Sequence, residues 1–117
     1  MVNKRVKELK NIVKAVLERE PEILHGQKLV FSKECGRTEM GDLQEFINRE
    51  ENTVVVLIYV NTYNHDEYYM MISDNFNGTY VYSQEIRAAI KEKFGENTLV
   101  SFDQLRHSEK ILWTISF

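Results

Sequence analysis

The chain has 117 residues, 43% of them hydrophobic and 28% charged, with one proline and five glycines, a composition that fits one folded domain and excludes a disordered or fibrous protein. A lone cysteine, Cys35, excludes a disulfide framework within the chain, so a reducing compartment, the cytoplasm, is expected. The net charge of −3 comes wholly from the middle: residues 50–86 hold six acids and no lysine or arginine, whereas 1–49 balance at +2 and 87–117 at +1.

Residues 3–20 read as an amphipathic helix. Val6, Leu9, Val13 and Val16, flanked by Ile12 and Leu17, recur at helical spacing, and lysines fill much of the other face. Asn3 is placed to cap this helix. Pro21 should end it, because the residue before a proline disfavours helix. Charges interrupt its apolar residues too often for a signal peptide or a membrane span. The longest apolar run, VVVLIYV at 54–60, is too short to cross a bilayer as a helix.

KLVFSKE at 28–34 reads as a strand and CGRTEMG at 35–41 as a loop. Asp42 and Glu45 have capping-box spacing ahead of a short helix to about Glu50, with Leu43, Phe46 and Ile47 on its inner face. TVVVLIYV at 53–60 is apolar on both alternate faces, as in a strand covered on two sides. NTYNHD at 61–66 is a turn and EYYMMIS at 67–73 the returning strand. Asn77-Gly78 is a hairpin signal that makes TYVYS at 79–83 a short further strand. Ser83 is placed to cap a helix whose buried face is Ile86, Ala89, Ile90 and Phe94, and Gly95 to end it. TLVSF at 98–102 and ILWTISF at 111–117 are strands; the second alternates, with Ile111, Trp113, Ile115 and Phe117 on one face.

The predicted fold is a single α+β domain over residues 1–117, a mostly antiparallel sheet of about four to six strands with an N-terminal amphipathic helix and two further helices. Without the first helix the order is β-α-β-β-α-β plus one strand, which matches the split βαβ of ferredoxin-like domains. A hairpin over 67–83 would instead give a meander with helices on one face.

His65, Asp66 and Glu67 are metal-ligand types in a row. Neighbours in an extended chain point to opposite faces, so at most two converge on one ion. Others would have to come from His107 or Asp74, and no H-x-x-x-H or C-x-x-C spacing accompanies them. No metal or other cofactor is expected, and a solvated turn is the plainer reading. Cys35 with Arg37 lacks the phosphatase spacing, since position 41 is Gly41, and no histidine is placed as a base. The other acids are scattered, and no catalytic residue is assigned.

Lys4, Arg5, Lys7, Lys10, Lys14 and Arg19 give the first helix a basic face. No aromatic residue interleaves with it to stack on bases. The tyrosines sit instead in the acidic third, which repels a phosphate backbone, so direct nucleic-acid binding is not expected.

All six tyrosines fall between residues 59 and 82. Tyrosine brings contact area and a hydrogen bond to an interface at small entropic cost. Acids beside it steer a basic partner inward. The expected contact set is Tyr63, Asp66, Glu67, Tyr68, Tyr69, Asp74, Tyr80 and Tyr82. The expected function is non-enzymatic: a small acidic cytoplasmic inhibitor that occludes a basic site on a partner protein, such as a nucleic-acid-binding enzyme. In size and charge pattern the chain resembles phage or mobile-element products such as anti-CRISPR proteins, and toxin-neutralising immunity proteins. A small enzyme or ligand-binding domain using His65, Asp66 and Glu67 is the second reading. A nucleic-acid-binding regulatory module using the first helix is the third.

Overall fold

Leu9, Val13 and Leu17, one helical turn apart, are fully buried on the inner face of α1 (Lys4–Leu17). In the computed structural model, residues 4–31, 52–61, 63–74, 78–104 and 110–117 are described. The predicted helix over 42–50, Asn3, Cys35, Arg37, Asn77 and His107 lie outside them. α1 stops at Leu17, three residues short of expectation, and Pro21 opens a separate short helix, α2 (Pro21–Leu24). Glu20 is extended (φ −136, ψ 140), the backbone that a following proline imposes. His25 (φ 51) and Gly26 (φ 79) then turn the chain into β1 (Lys28–Phe31).

The other strands are β2 (Thr53–Val60), β3 (Glu67–Asp74), β4 (Leu99–Gln104) and β5 (Lys110–Ser116), with α3 (Ser83–Phe94) between β3 and β4. They form one five-stranded sheet in the order β1-β2-β3-β5-β4. β1 and β2 are parallel, and every other neighbouring pair is antiparallel. This is the expected α+β domain with a mostly antiparallel sheet. β3 and β4 therefore run parallel with β5 between them, joined by α3 as a split βαβ. β1 and β2, in contrast, are direct neighbours.

The strand alternation sorts side chains between two faces. Val54, Val56, Tyr68, Met70, Ile72, Ile111, Trp113 and Ile115 point toward α1 and α3 and are buried with Ile86 and Ile90. Each large aliphatic side chain so buried contributes about 1.5–3 kcal/mol. Val55, Leu57 and Met71 make a second buried cluster on the opposite face. β2 is thus covered on both sides, as its unbroken apolar run predicts.

Residues 79–83 do not form the expected strand. Gly78–Tyr82 is a 3-10 helix that leads straight into α3. Thr79 and Ser83 are buried and Val81 is exposed. The buried positions Thr79, Ser83, Ile86 and Ile90 follow a helical period, which the alternation of TYVY masks. Ser83 is not the cap: Tyr82 occupies that position without a side-chain bond. The Ser83 hydroxyl is buried, with no hydrogen-bond partner among the described residues. Gly95 does end α3, with φ 114 and its N–H donating to the Lys91 carbonyl at 2.8 Å.

Candidate functional site

The turn between β2 and β3 is built by two asparagines. Asn61 Oδ1 accepts the backbone N–H groups of Tyr63 (2.8 Å) and Asn64 (3.2 Å). Asn64 Oδ1 accepts that of Asp66 at 3.1 Å. Short polar side chains that bond the backbone two residues on are turn formers by mechanism. The Asn61 N–H donates to the Glu67 carbonyl at 2.9 Å and closes the loop. Held this way, Tyr63 projects into solvent with 99% of its surface exposed.

Asn61 also reaches the sheet. Its Nδ2 donates to the Tyr69 hydroxyl at 3.0 Å, and that hydroxyl donates to Glu67 Oε1 at 2.7 Å. This bond to a carboxylate raises the Tyr69 pKa above its ordinary value, and partial burial adds to the rise. Tyr59 lies directly across the ladder from Tyr69, with ring centroids 5.3 Å apart and 45% of Tyr59 exposed. Thr114 on β5 and Ser101 on β4 extend the same row across the sheet. Tyr59, Tyr63, Tyr69 and Glu67 therefore share one end of the sheet, away from α1 and α3.

Other members of the expected set lie elsewhere. Tyr68 is 3% exposed and packs edge-on to Phe117 in the main core, because its position in β3 points it to the helical face. It has no surface to offer a partner. Tyr80 and Tyr82 sit on the 3-10 helix; Tyr80 meets the edge of Phe102 at 6.1 Å, and Tyr82 packs against the core. Asp74 ends β3 opposite Val54, at the far end of the strand from the turn, and its side chain is outside the described set.

Asp66 is exposed but engaged. Arg5 of α1 donates to its Oδ1 at 2.9 Å, and this bond and charge raise the Arg5 pKa. Arg19, two residues beyond the end of α1, pairs with Glu85 of α3, which likewise raises its pKa. Lys10 lies 5.0 Å from the Phe31 ring centroid. Arg5 and Lys10 of the first helix and Arg19 just beyond it are thus turned toward this chain's own acids and rings, whereas Lys4, Lys7 and Lys14 are exposed. His65 is exposed, and among the described residues no group of three His, Cys, Asp or Glu is arranged to hold a metal ion.

Asn61 and Tyr59 were missing from the expected contact set. The spacing of Asn61 and Asn64 within the polar cluster is the signal that marks the turn's scaffold. No helix among the described residues is long and apolar enough to cross a membrane. Comparison with protein-family models, with curated proteins and with solved structures finds no match to this chain.

Proposed function

We propose that this is a non-catalytic binding protein that occludes a basic site on another protein, with Tyr59, Tyr63, Tyr69 and Glu67 as its contact surface. The observation that carries this reading is the full exposure of Tyr63 beside the paired rings of Tyr59 and Tyr69, with Asn61 bonded to both the Tyr63 backbone and the Tyr69 hydroxyl. The Tyr59 and Tyr69 rings, packed against each other, lose little entropy on binding, and Tyr63 on its fixed backbone adds contact area. Glu67 adds a carboxylate already fixed by Tyr69. Small acidic inhibitors of the anti-CRISPR or immunity-protein kind act in this way, by covering a cationic surface, and a nucleic-acid-binding enzyme offers such a surface.

The test is affinity capture from host lysate with the wild-type chain and with the Tyr59→Ala, Tyr63→Ala double variant. A basic protein retained by the first and lost by the second is expected, with retention falling as salt rises. Equal retention by both folded proteins would remove the tyrosine patch from the function.

A further inference from the structure

We infer that the tyrosine patch takes an arginine of its partner protein and selects it over lysine, with the guanidinium lying on the Tyr59 and Tyr69 rings and donating to Glu67. This rests on the proposed function and names the chemistry that its contact surface recognises. Glu67 and Tyr69, two residues apart on β3, share one face of the sheet, and Tyr59 stands across the ladder on the same face. Asn61 Nδ2 donates to the Tyr69 hydroxyl, and that hydroxyl donates to Glu67 Oε1. The carboxylate is thereby fixed at the hydroxyl end of the Tyr69 ring before a partner arrives. Its other oxygen, Oε2, accepts no hydrogen bond and joins no ion pair among the described residues.

The neighbouring acid shows how this fold satisfies such a group. Asp66 receives Arg5, whose guanidinium also lies over the Phe117 ring. Glu67 beside Tyr69 and Tyr59 repeats the arrangement of carboxylate and ring, and the described residues supply it with no cation. Residues 50–86 contain no lysine or arginine, and Arg5 and Arg19 are committed to Asp66 and Glu85. A guanidinium is flat and weakly hydrated. It can lie on an aromatic ring while its N–H groups point outward, in its own plane, to a carboxylate. An ammonium is a compact, strongly hydrated charge that fits this pairing less well. A phosphate would meet the Glu67 carboxylate and be repelled. A second copy also fits less well. Docking patch to patch across a two-fold axis would bring two Glu67 carboxylates together, and like charges facing one another disfavour association.

The probe is a capped peptide in which arginine alternates with glycine. Its controls are the same peptide with lysine, and with citrulline, which keeps the shape of arginine without its charge. Each is titrated into the isotope-labelled full chain at constant ionic strength, up to about 10 mM, and the backbone amide signals are followed by NMR. The arginine peptide should move the signals of Tyr59, Glu67 and Tyr69 and bind about threefold or more tighter than the lysine peptide. The citrulline peptide should leave them in place. Glu67→Gln, which can still accept from Tyr69, should weaken the arginine peptide about fivefold, and Glu96→Gln, at an exposed acid of the loop after α3, should not. Tyr59→Ala should weaken it and Tyr59→Phe should not, because the ring and not the hydroxyl is used. Equal affinity of the arginine and lysine peptides at these residues would overturn the inference and leave a basic partner in place. The lysate capture decides that broader reading separately. No movement of these signals, binding of citrulline as tight as arginine, or an unchanged affinity in Glu67→Gln would each overturn the inference too. So would a single-stranded oligonucleotide that displaces the arginine peptide from the tyrosines. Movement of the same signals with protein concentration alone, not reversed by the arginine peptide, would overturn it by assigning the patch to a second copy.

Discussion

The guanidinium of Arg5 donates to the carboxylate of Asp66 at 2.9 Å, and the same group lies 4.4 Å from the ring centroid of Phe117. α1 thereby returns to the acidic third a cation that its sequence lacks. Arg19 does the same for Glu85. Part of the charge asymmetry along the chain is therefore balanced within the fold.

Both members of the Arg5 pair are partly exposed, so the bond itself is weak. Asp66→Asn should lower stability by about 0.2–1 kcal/mol, and the loss should shrink as salt is added. Arg5→Ala should cost more than Asp66→Asn, because it also removes the packing on Phe117. Urea denaturation of both variants at low and high salt checks this; equal costs would show that the ring contact contributes nothing.

Tyr63 and Tyr68 separate surface from core. Tyr68→Ala should destabilise by about 3–5 kcal/mol, the range for a large buried aromatic side chain. Tyr63→Ala should stay within about 0.5 kcal/mol of wild type. Thermal and urea unfolding distinguish them, and similar losses would contradict the placement of either ring.

The Tyr69 hydroxyl should titrate above its ordinary value of 10.0, since its proton is held by Glu67. A proton bound more tightly in the folded state gives stability that is present below the unfolded value and is lost as pH rises through the folded one. Wild type should accordingly lose stability relative to Tyr69→Phe on raising the pH above 10.0. In ultraviolet titration of the phenolate band, the step missing from Tyr69→Phe should lie above 10.0 and move down in Glu67→Gln. A step at or below 10.0 would show that the bond to Glu67 does not persist in solution.

Gly95 has φ 114 and ψ 152, a region that only glycine occupies readily. No atom lies within 4 Å of where a Cβ would stand, so a substitution meets backbone strain and no clash. Gly95→Ala should cost about 1–3 kcal/mol in urea unfolding. A neutral result would mean that the end of α3 relaxes to negative φ.

Where local pattern and burial agree, the sequence was legible. Leu9 and Val13 on α1, the two-sided β2, and Ile111, Trp113 and Ile115 on β5 all read correctly, because each periodicity records a face that is buried. The alternation of Thr79, Tyr80, Val81 and Tyr82 misled for a physical reason. A short 3-10 turn and a strand can share the same polar and aromatic composition, and only Thr79, Ser83 and Ile86 together show the helical period. The contact surface was partly legible. Tyr63 follows from its polar turn. Separating Tyr68 from Tyr69 requires the register, since adjacent residues on a strand face opposite ways. The Arg5–Asp66 pair joins residues far apart in the chain and leaves no local trace.

β5 follows β4 in the chain yet lies between β4 and β3. During synthesis, a nascent chain that has emerged only as far as Gln104 can form the β2–β3 ladder, but β4 has nothing to pair with. Tyr68, Met70 and Ile72 then face a gap that Ile115, Trp113 and Ile111 later fill. Such long-range closure is slow compared with helix formation. Until it happens, both strands bordering the gap are open to pairing with other chains. The insertion of residues 110–116 between β3 and β4 is therefore the step with which aggregation competes during folding.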